Sequence, residues 1–294
     1  MNYYDEIKKE LIDNEINKRV KDYSKNKYEL EKYYNVGKLL FEAGKHYGEG
    51  IIKEYSKKLT SDLGKGYGTS NLKRMRQFYL LIRKGATLSH QLSWSHYYEI
   101  LSINNMNEVM YYIQIIEQNN LSVRELRNKI KSNDYERLSE ETKLKLINKE
   151  PTKVSDLVKN PIIIKKNNNY EEINEKILQK IILENITSFL EELGNGFTFI
   201  KNEYKIKIGT NYNYIDLLLF NIDYNCYVVI ELKVTELKKE HIGQIEVYMN
   251  YIDNNLRKIN QDKTIGIIIC KKDNKYIIEY SSDKRILSRE YVLI

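Results

Sequence analysis

Three charged residues interrupt two otherwise apolar runs: Asp216 within Asn213-Tyr-Asn-Tyr-Ile-Asp-Leu-Leu-Leu-Phe220, and Glu231 and Lys233 within Cys226-Tyr-Val-Val-Ile-Glu-Leu-Lys-Val234. Both runs are short, β-branched or aromatic, and bounded by Asn and Asp. They predict paired strands of a mostly buried sheet, joined by a turn at 221–225. Side chains two apart in a strand share a face, so Glu231 and Lys233 project together, and Asp216 on the neighbouring strand can join them. Two carboxylates with a backbone carbonyl, here that of Leu232, suit a hard divalent cation such as Mg²⁺, with Mn²⁺ as a substitute. Such an ion polarises a phosphate oxygen and lowers the pKa of water, while an ammonium such as Lys233 orients that water or stabilises developing negative charge. The chemistry is phosphodiester hydrolysis. The competing reading is a satisfied ion pair between Glu231 and Lys233 at a sheet edge. Placement favours the chemistry: 30% of the chain is charged, and chance triplets fall mostly on solvated helix faces, whereas these three sit in its most hydrophobic strands.

Ile215-Asp216 followed by Val229-Ile-Glu-Leu-Lys233 resembles the PD-(D/E)xK nuclease signature, with Ile215 where the name has proline. Phe189-Leu-Glu-Glu-Leu-Gly-Asn-Gly-Phe197, Tyr214-Ile-Asp-Leu-Leu218, Gly243-Gln244 and Ile265-Gly-Ile-Ile-Ile-Cys270 extend the likeness. In their order they are similar to the C-terminal nuclease domain of the YhcG family, numbered 1016 among the domains of unknown function. The resemblance implies a restriction-endonuclease-like domain, a mixed sheet flanked by helices, acting on DNA. It also supports a role for Gln244 at the scissile phosphate or a water beside it. Ile242, Ile245, Tyr248, Met249 and Ile252 repeat at helical spacing around Gln244, and an exposed helix glutamine is the plain alternative. His241 is a weaker candidate for phosphate contact. Many superfamily members add a metal-binding glutamate from an upstream helix. Glu184 is the candidate here and Glu175 its rival, with a solvated helix face competing for both.

The chain's positive charge is concentrated. Residues 51–90 hold nine Lys or Arg against two Asp or Glu, an excess of seven that equals the formal net charge of the whole chain. At its centre, Leu63-Gly-Lys-Gly-Tyr-Gly-Thr-Ser-Asn-Leu-Lys-Arg-Met-Arg-Gln-Phe-Tyr79 predicts a tight glycine connection, a cap at Thr69 or Ser70, and a helix placing Leu72, Met75, Tyr79 and Ile82 inward. Lys73, Arg74, Arg76 and Gln77 are left outward. With 51–63 as a preceding helix, this reads as a helix-turn-helix arrangement whose Lys65, Ser70, Lys73, Arg74, Arg76, Gln77, Arg83 and Lys84 meet nucleic-acid phosphates. A solvated basic face is the alternative. Tyr47-Gly48, Leu63-Gly-Lys-Gly-Tyr67, Asn71–Tyr79, Leu92-Ser-Trp-Ser-His-Tyr97 and Leu121-Ser-Val-Arg-Glu-Leu126 resemble the same family's N-terminal domain. His96 lacks a second ligand or nucleophile spaced around it and reads as a cap or packing residue of a helix starting near Ser93. Ser122-Val-Arg-Glu125 has the form of a capping box.

The expected organisation is a helical DNA-binding domain at 1–148, a connection at 149–169 marked by Pro151, Pro161 and Asn167–Asn169, and a nuclease domain at 170–294. The latter should hold one helix, strands near 197–208, 213–220 and 226–234, a helix to about 259, and strands near 264–270 and 276–281. At 294 residues and 41% hydrophobic, the chain can bury two cores. Two cysteines, Cys226 and Cys270, both in expected strands, imply a reducing compartment without a disulfide framework. No apolar run approaches membrane length and the first residues lack a signal-peptide core, which together imply a cytoplasmic protein. A homodimer, a larger DNA-processing assembly, and a non-catalytic nucleic-acid-binding or adaptor protein with a nuclease-like fold stay open.

Overall fold

The computed structural model describes residues 2–19, 25–48, 50–281 and 283–294. The chain forms two compact units, Met1–Tyr135 and Glu136–Ile294.

The first unit is helical: α1 (Tyr3–Arg19), α2 (Lys25–Tyr47), α3 (Ile51–Leu63), α4 (Thr69–Arg83), α5 (Trp94–Ile100), α6 (Met106–Asn119) and α7 (Val123–Lys131). Tyr3, Ile7 and Leu11 of α1, Val36, Leu40 and Ala43 of α2, Ile52, Tyr55 and Leu59 of α3, and Leu72 and Met75 of α4 form one core. Each set recurs every three or four residues, which places one stripe of each helix inward. On α4 the buried residues are Leu72, Met75, Phe78 and Tyr79, with Ile82 only half-buried. The expected Thr69 or Ser70 cap is corrected. Gly68 is the N-cap and makes no side-chain bond, because the helix begins at Thr69 itself. Two capping boxes do form, Ser93 with His96 and Ser122 with Glu125. His96 also reaches the Leu121 carbonyl through Nε2 at 2.9 Å, which occupies both ring nitrogens in structure.

The second unit contains α8 (Glu140–Asn148), α9 (Val154–Leu157), β1 (Ile162–Ile164), α10 (Glu175–Glu184), α11 (Ile186–Leu193), β2 (Phe197–Ile208), β3 (Asn211–Asn221), β4 (Cys226–Glu236), α12 (Lys239–Asn255), β5 (Asp262–Lys272), α13 (Lys275–Glu279) and β6 (Ile286–Leu293). Its six strands make one mixed sheet in the order β1-β6-β5-β4-β3-β2. Pairings from β1 to β4 are parallel and those of β3 with β4 and β2 antiparallel. On one face, Leu178, Ile181 and Ile182 of α10 and Phe189 and Leu193 of α11 pack on Leu217, Leu219, Val228, Ile230, Leu232, Ile267 and Ile269. On the other, Ile245, Tyr248, Met249 and Ile252 of α12 cover Leu218, Val229, Ile268 and Cys270. A strand covered on both faces needs a continuous apolar run, which Ile267-Ile-Ile-Cys270 supplies. Burial pushes the Cys226 thiol up to about 11 and the Cys270 thiol to about 12.

Three expectations change. The helix before the sheet is two, broken at Asn185. The stretch expected as a strand at 276–281 is the short helix α13, and the last strand is β6, where Ser288, Arg289 and Glu290 mask the apolar alternation. Arg289 is tolerated inside because it donates to the carbonyls of Val158, Ser288 and Ser155. Within 149–169, α9 and β1 belong to the second unit. The carboxylate of Glu192 on α11 pairs with Arg137 and Lys159 and accepts the Ile163 N–H, anchoring β1.

Two glycines mark close approaches. A Cβ on Gly37 of α2 would collide with the Met75 backbone carbonyl, whereas one on Gly266 of β5 would meet the Met249 sulfur at 2.5 Å and Ile245 Cδ1 at 2.9 Å. Side-chain tips yield more readily than backbone. Gly37→Ala should therefore cost about 3 kcal/mol and Gly266→Ala about 1 kcal/mol, read by urea unfolding. Equal costs would contradict these contacts.

Candidate active site

The site forms where β3 parts from β4. Their pairing runs from Asn221↔Cys226 to Leu217↔Ile230 and stops there. Across from it, β2–β3 pairing passes from Asn202↔Leu217 to Tyr204↔Ile215, with Glu203 in the left-handed region at φ 47. Residues two apart in a regular strand face the same way, yet Leu217 packs on the α10 side while Ile215 packs on the α12 side. The strand has turned over at Asp216. Its carboxylate Oδ2 consequently takes the Leu232 N–H at 2.7 Å, where a ladder carbonyl would otherwise stand. The backbone oxygen of Asp216 is held in turn by Gln179 Nε2 of α10 at 2.9 Å.

Glu231 and Lys233 share the α12 face of β4, following Val229 at two-residue steps. Lys233 Nζ donates to Glu231 Oε1 at 2.8 Å, and Gln244 Nε2 from α12 donates to the same oxygen at 2.8 Å. Gln244 also reaches the Tyr248 hydroxyl at 3.1 Å. The other oxygen, Glu231 Oε2, is buried without a hydrogen-bond partner. His241 is engaged elsewhere, its Nδ1 accepting the Lys238 N–H at 3.2 Å at the start of α12. Burial and then the Lys233 charge hold its imidazole below the usual histidine range.

The expected Glu184 is corrected. It accepts from the Tyr170 hydroxyl at 3.2 Å and lies 3.9 Å from Lys180, away from the strand cluster. Glu175 is the glutamate that arrives, 3.7 Å from Lys233 Nζ. Nine residues are two and a half helical turns, so the two project from opposite sides of α10 and only one can face the strands. Gln179, one turn after Glu175 and buried among apolar neighbours, was not anticipated. A lone amide within the stripe Leu178, Ile181, Ile182 was its signal. Neither the Tyr248 hydroxyl nor Glu203 carried one.

The electrostatics of the cluster are strained in one direction. Burial pushes the Glu231 carboxyl up to about 7 and the Asp216 charge adds to it, against the lowering by Lys233. Burial also raises Asp216, opposed by the Leu232 N–H and Lys233 and reinforced by Glu175 and Glu203. Burial works against the Lys233 charge too, but the Glu231 hydrogen bond and the surrounding carboxylates outweigh it and its pKa rises. These residues fit a divalent cation: it would partner the orphaned Glu231 oxygen and let both carboxyls ionise. Among the described residues no three His, Cys, Asp or Glu side chains form a ready cage, so such an ion would be held as Mg²⁺ usually is, by one or two carboxylates with water and phosphate completing the shell.

In the first unit, Lys65, Ser70, Lys73, Gln77, Arg83 and Lys84 are exposed. Arg74 and Arg76, expected outward, are half-buried. Arg74 lies over the Tyr98 ring at 4.0 Å, and Arg76, one turn beyond Leu72, flanks the buried stripe. Arg83 stands 5.3 Å from the centroid of Phe41.

Residues 155–293 match the family described as YhcG PDDEXK nuclease domain, and residues 8–137 match the DUF1016 N-terminal domain. The chain belongs to the YhcG family. In Escherichia coli (strain K12), the protein named Putative nuclease YhcG is 25% identical, over 78% of this chain and 71% of its own. The second unit is thus a PD-(D/E)xK nuclease domain with a YhcG-type helical unit before it. Among solved structures, a repair endonuclease from Pyrococcus abyssi aligns at 20% identity over 43% of this chain and 49% of its own, with a TM-score of 0.29. A structure titled EndoMS-dsDNA2 complex aligns at 22% identity over 43% of this chain and 48% of its own, also at 0.29. The chain thus spans about half the length of each of these solved chains. Among the described residues, no helix is long and apolar enough to cross a membrane.

A carboxyl held near 7 when folded and near 4.5 when unfolded keeps its proton in the native state over that interval while the unfolded chain releases it. Native stability in EDTA should therefore fall as pH rises from about 4.5 to about 7, by on the order of 3 kcal/mol. Glu231→Gln should flatten that fall in thermal melts, and an unchanged pH slope would contradict the assignment.

Proposed function

We propose that this YhcG-family chain is a Mg²⁺-dependent endonuclease that hydrolyses phosphodiester bonds in DNA, with its first unit binding the substrate. The observation that carries the reading is the buried, unpartnered Oε2 of Glu231 beside Asp216, while the Lys233 ammonium and the Gln244 amide saturate Oε1. A sheet-edge ion pair would not leave a buried carboxylate oxygen empty.

Asp216, Glu231 and the Leu232 carbonyl would hold the cation, with Glu175 at the rim. When bound, it supplies Lewis-acid polarisation of a phosphate oxygen and a lowered water pKa. The protein's own residues do the remainder. Lys233 keeps its proton at neutral pH because its pKa is raised, so it acts as a fixed positive charge beside the phosphate and not as a base. Gln244 holds the Glu231 carboxylate in orientation, and with both Nε2 hydrogens engaged by Glu231 and Tyr248 its Oε1 is the group that can accept from an attacking water. Gln179 fixes the Asp216 backbone, and so acts through Asp216 as a positioning residue. Glu175, 3.7 Å from Lys233 Nζ, adds a further negative charge beside the ammonium.

In the first unit, α3, the glycine turn and α4 read as a helix-turn-helix-like element. Its exposed Lys65, Ser70, Lys73, Gln77, Arg83 and Lys84 are the phosphate contacts, with Arg74 and Arg76 at the edge of that face. The resemblance to the family supports a cytoplasmic setting and DNA over RNA.

Cleavage of supercoiled, linear, branched and single-stranded DNA, and of RNA, in Mg²⁺, Mn²⁺ or EDTA tests the catalytic reading. Asp216→Ala, Glu231→Ala and Lys233→Ala should each lower cutting by about 10³-fold or more, and Gln244→Ala by about 10–100-fold. Glu175→Ala should lower it by a smaller factor and Glu184→Ala should leave it unchanged. Cutting that persists in EDTA would overturn the metal-dependent reading, and no cutting on any substrate with binding intact would favour a non-catalytic binding protein. For the first unit, each of Lys73→Ala and Lys84→Ala should reduce the slope of log affinity against log salt by about 0.9 on duplex DNA. Unchanged slopes would leave α4 as a solvated basic face.

A further inference from the structure

Beyond the point where β3 parts from β4, strands β2 and β3 continue as a two-stranded ribbon, paired from Tyr204↔Ile215 to Ile208↔Asn211. One side is occupied: Ile206 and Ile215 belong to the core under α12. The opposite side carries two cross-strand pairs, Lys205 with Tyr214 and Lys207 with Tyr212. Both lysines are exposed, and Tyr212 and Tyr214 are 55% and 51% exposed. The Lys205 ammonium stands 3.8 Å from the Tyr212 ring centroid and that of Lys207 5.9 Å. The sequence from 204 to 215 contains no Asp or Glu. The patch runs along β3 to within two residues of Asp216, on the side opposite α12, which is the side from which Glu175 of α10 reaches Lys233 at 3.7 Å.

We propose that this ribbon face holds an unpaired segment of the nucleic-acid substrate beside the scissile phosphate, with bases stacked on Tyr212 and Tyr214 and phosphates against Lys205 and Lys207. The proposal rests on the nuclease reading and adds a substrate class to it: single strands, flaps and branched ends. Interleaved cations and aromatic rings are the chemistry that grips a strand whose bases are splayed, because every base has a π-face. Spacing separates this from duplex binding. Side chains two apart on a strand stand roughly 6.6–6.8 Å apart, about twice the 3.4 Å between stacked bases of a duplex strand. Adjacent bases of intact duplex cannot meet both rings, whereas an unstacked strand can. The lysine contacts over Tyr212 are exposed cation–π contacts, weaker than a stacked base, and give way to one. Geometry also favours delivery to the site, because β3 carries the bound strand straight to the carboxylate at its turned-over residue.

The test uses the full chain and fluorescent single-stranded, flapped and blunt duplex DNA in EDTA, so that binding is read without cleavage. Tyr212→Ala with Tyr214→Ala should weaken single-stranded and flapped DNA by about tenfold or more and blunt duplex by less than about twofold. Tyr212→Phe with Tyr214→Phe keeps both rings and should bind as the wild type. Lys205→Glu with Lys207→Glu should weaken the unpaired probes and flatten their salt dependence. Equal losses on duplex and unpaired probes, unchanged affinity of the alanine pair, or failure of the wild type to bind unpaired DNA would each overturn the proposal. Cutting by a protein whose ribbon variants bind normally would sink the ribbon alone, and loss of cutting in Glu231→Ala with binding retained bears only on the site.

Discussion

The second unit depends on one exchange of hydrogen-bond partners. At Leu232 the N–H that would continue a β-ladder bonds the Asp216 carboxylate instead. That single bond requires β3 to leave β4, to turn over, and to have its backbone caught by Gln179 from the opposite face of the sheet. Glu203, left-handed on the paired strand, absorbs the same irregularity. A non-glycine residue in that region persists only when its surroundings over-determine it, and here the surroundings are the sheet's split end. The sheet's regularity is given up at the place where a carboxylate, an ammonium and an orphaned oxygen must converge.

The convergence is electrostatically unfavourable in the protein alone. Two buried carboxyls repel, and one lysine cannot neutralise both. The domain contains a tension that a bound cation would relieve, which is how a binding site differs from an ion pair whose members satisfy one another. Gln244 contributes by saturating one Glu231 oxygen, which leaves the other as the unfilled valence of the site.

Much of this was legible in the sequence because the governing patterns are local. Strands β3 and β4 announced themselves as β-branched runs with charges that have no business in a core, α12 by its 3.6-residue stripe, and the Ser122–Glu125 capping box by spacing alone. What escaped depends on tertiary context. Tyr276-Ile-Ile-Glu-Tyr280 has strand propensity, yet it lies where a helical turn leads into β6. Strand β6 was hidden by Arg289, whose burial makes sense only once three carbonyls are known to surround it. The choice between Glu175 and Glu184 was a question of helix phase, open until the buried face of α10 was known. Arg74 and Arg76 looked outward in a stripe count, but Tyr98 and the width of the apolar face draw them in.

The pairing distances along the chain have a further meaning. Asp216, Glu231, Lys233 and Gln244 lie within one hairpin and the helix that follows it, whereas the edge pair joins Ile162 to Tyr291 across nearly the whole second unit. Loop closure weighs most on such distant partners, so the β1–β6 edge is the part of the sheet expected to open first and close last. Amide hydrogens there should exchange through small fluctuations that leave the hairpin and α12 protected. The chemistry-bearing segment is in this sense an early-forming cooperative kernel, and the edge around it a replaceable hem.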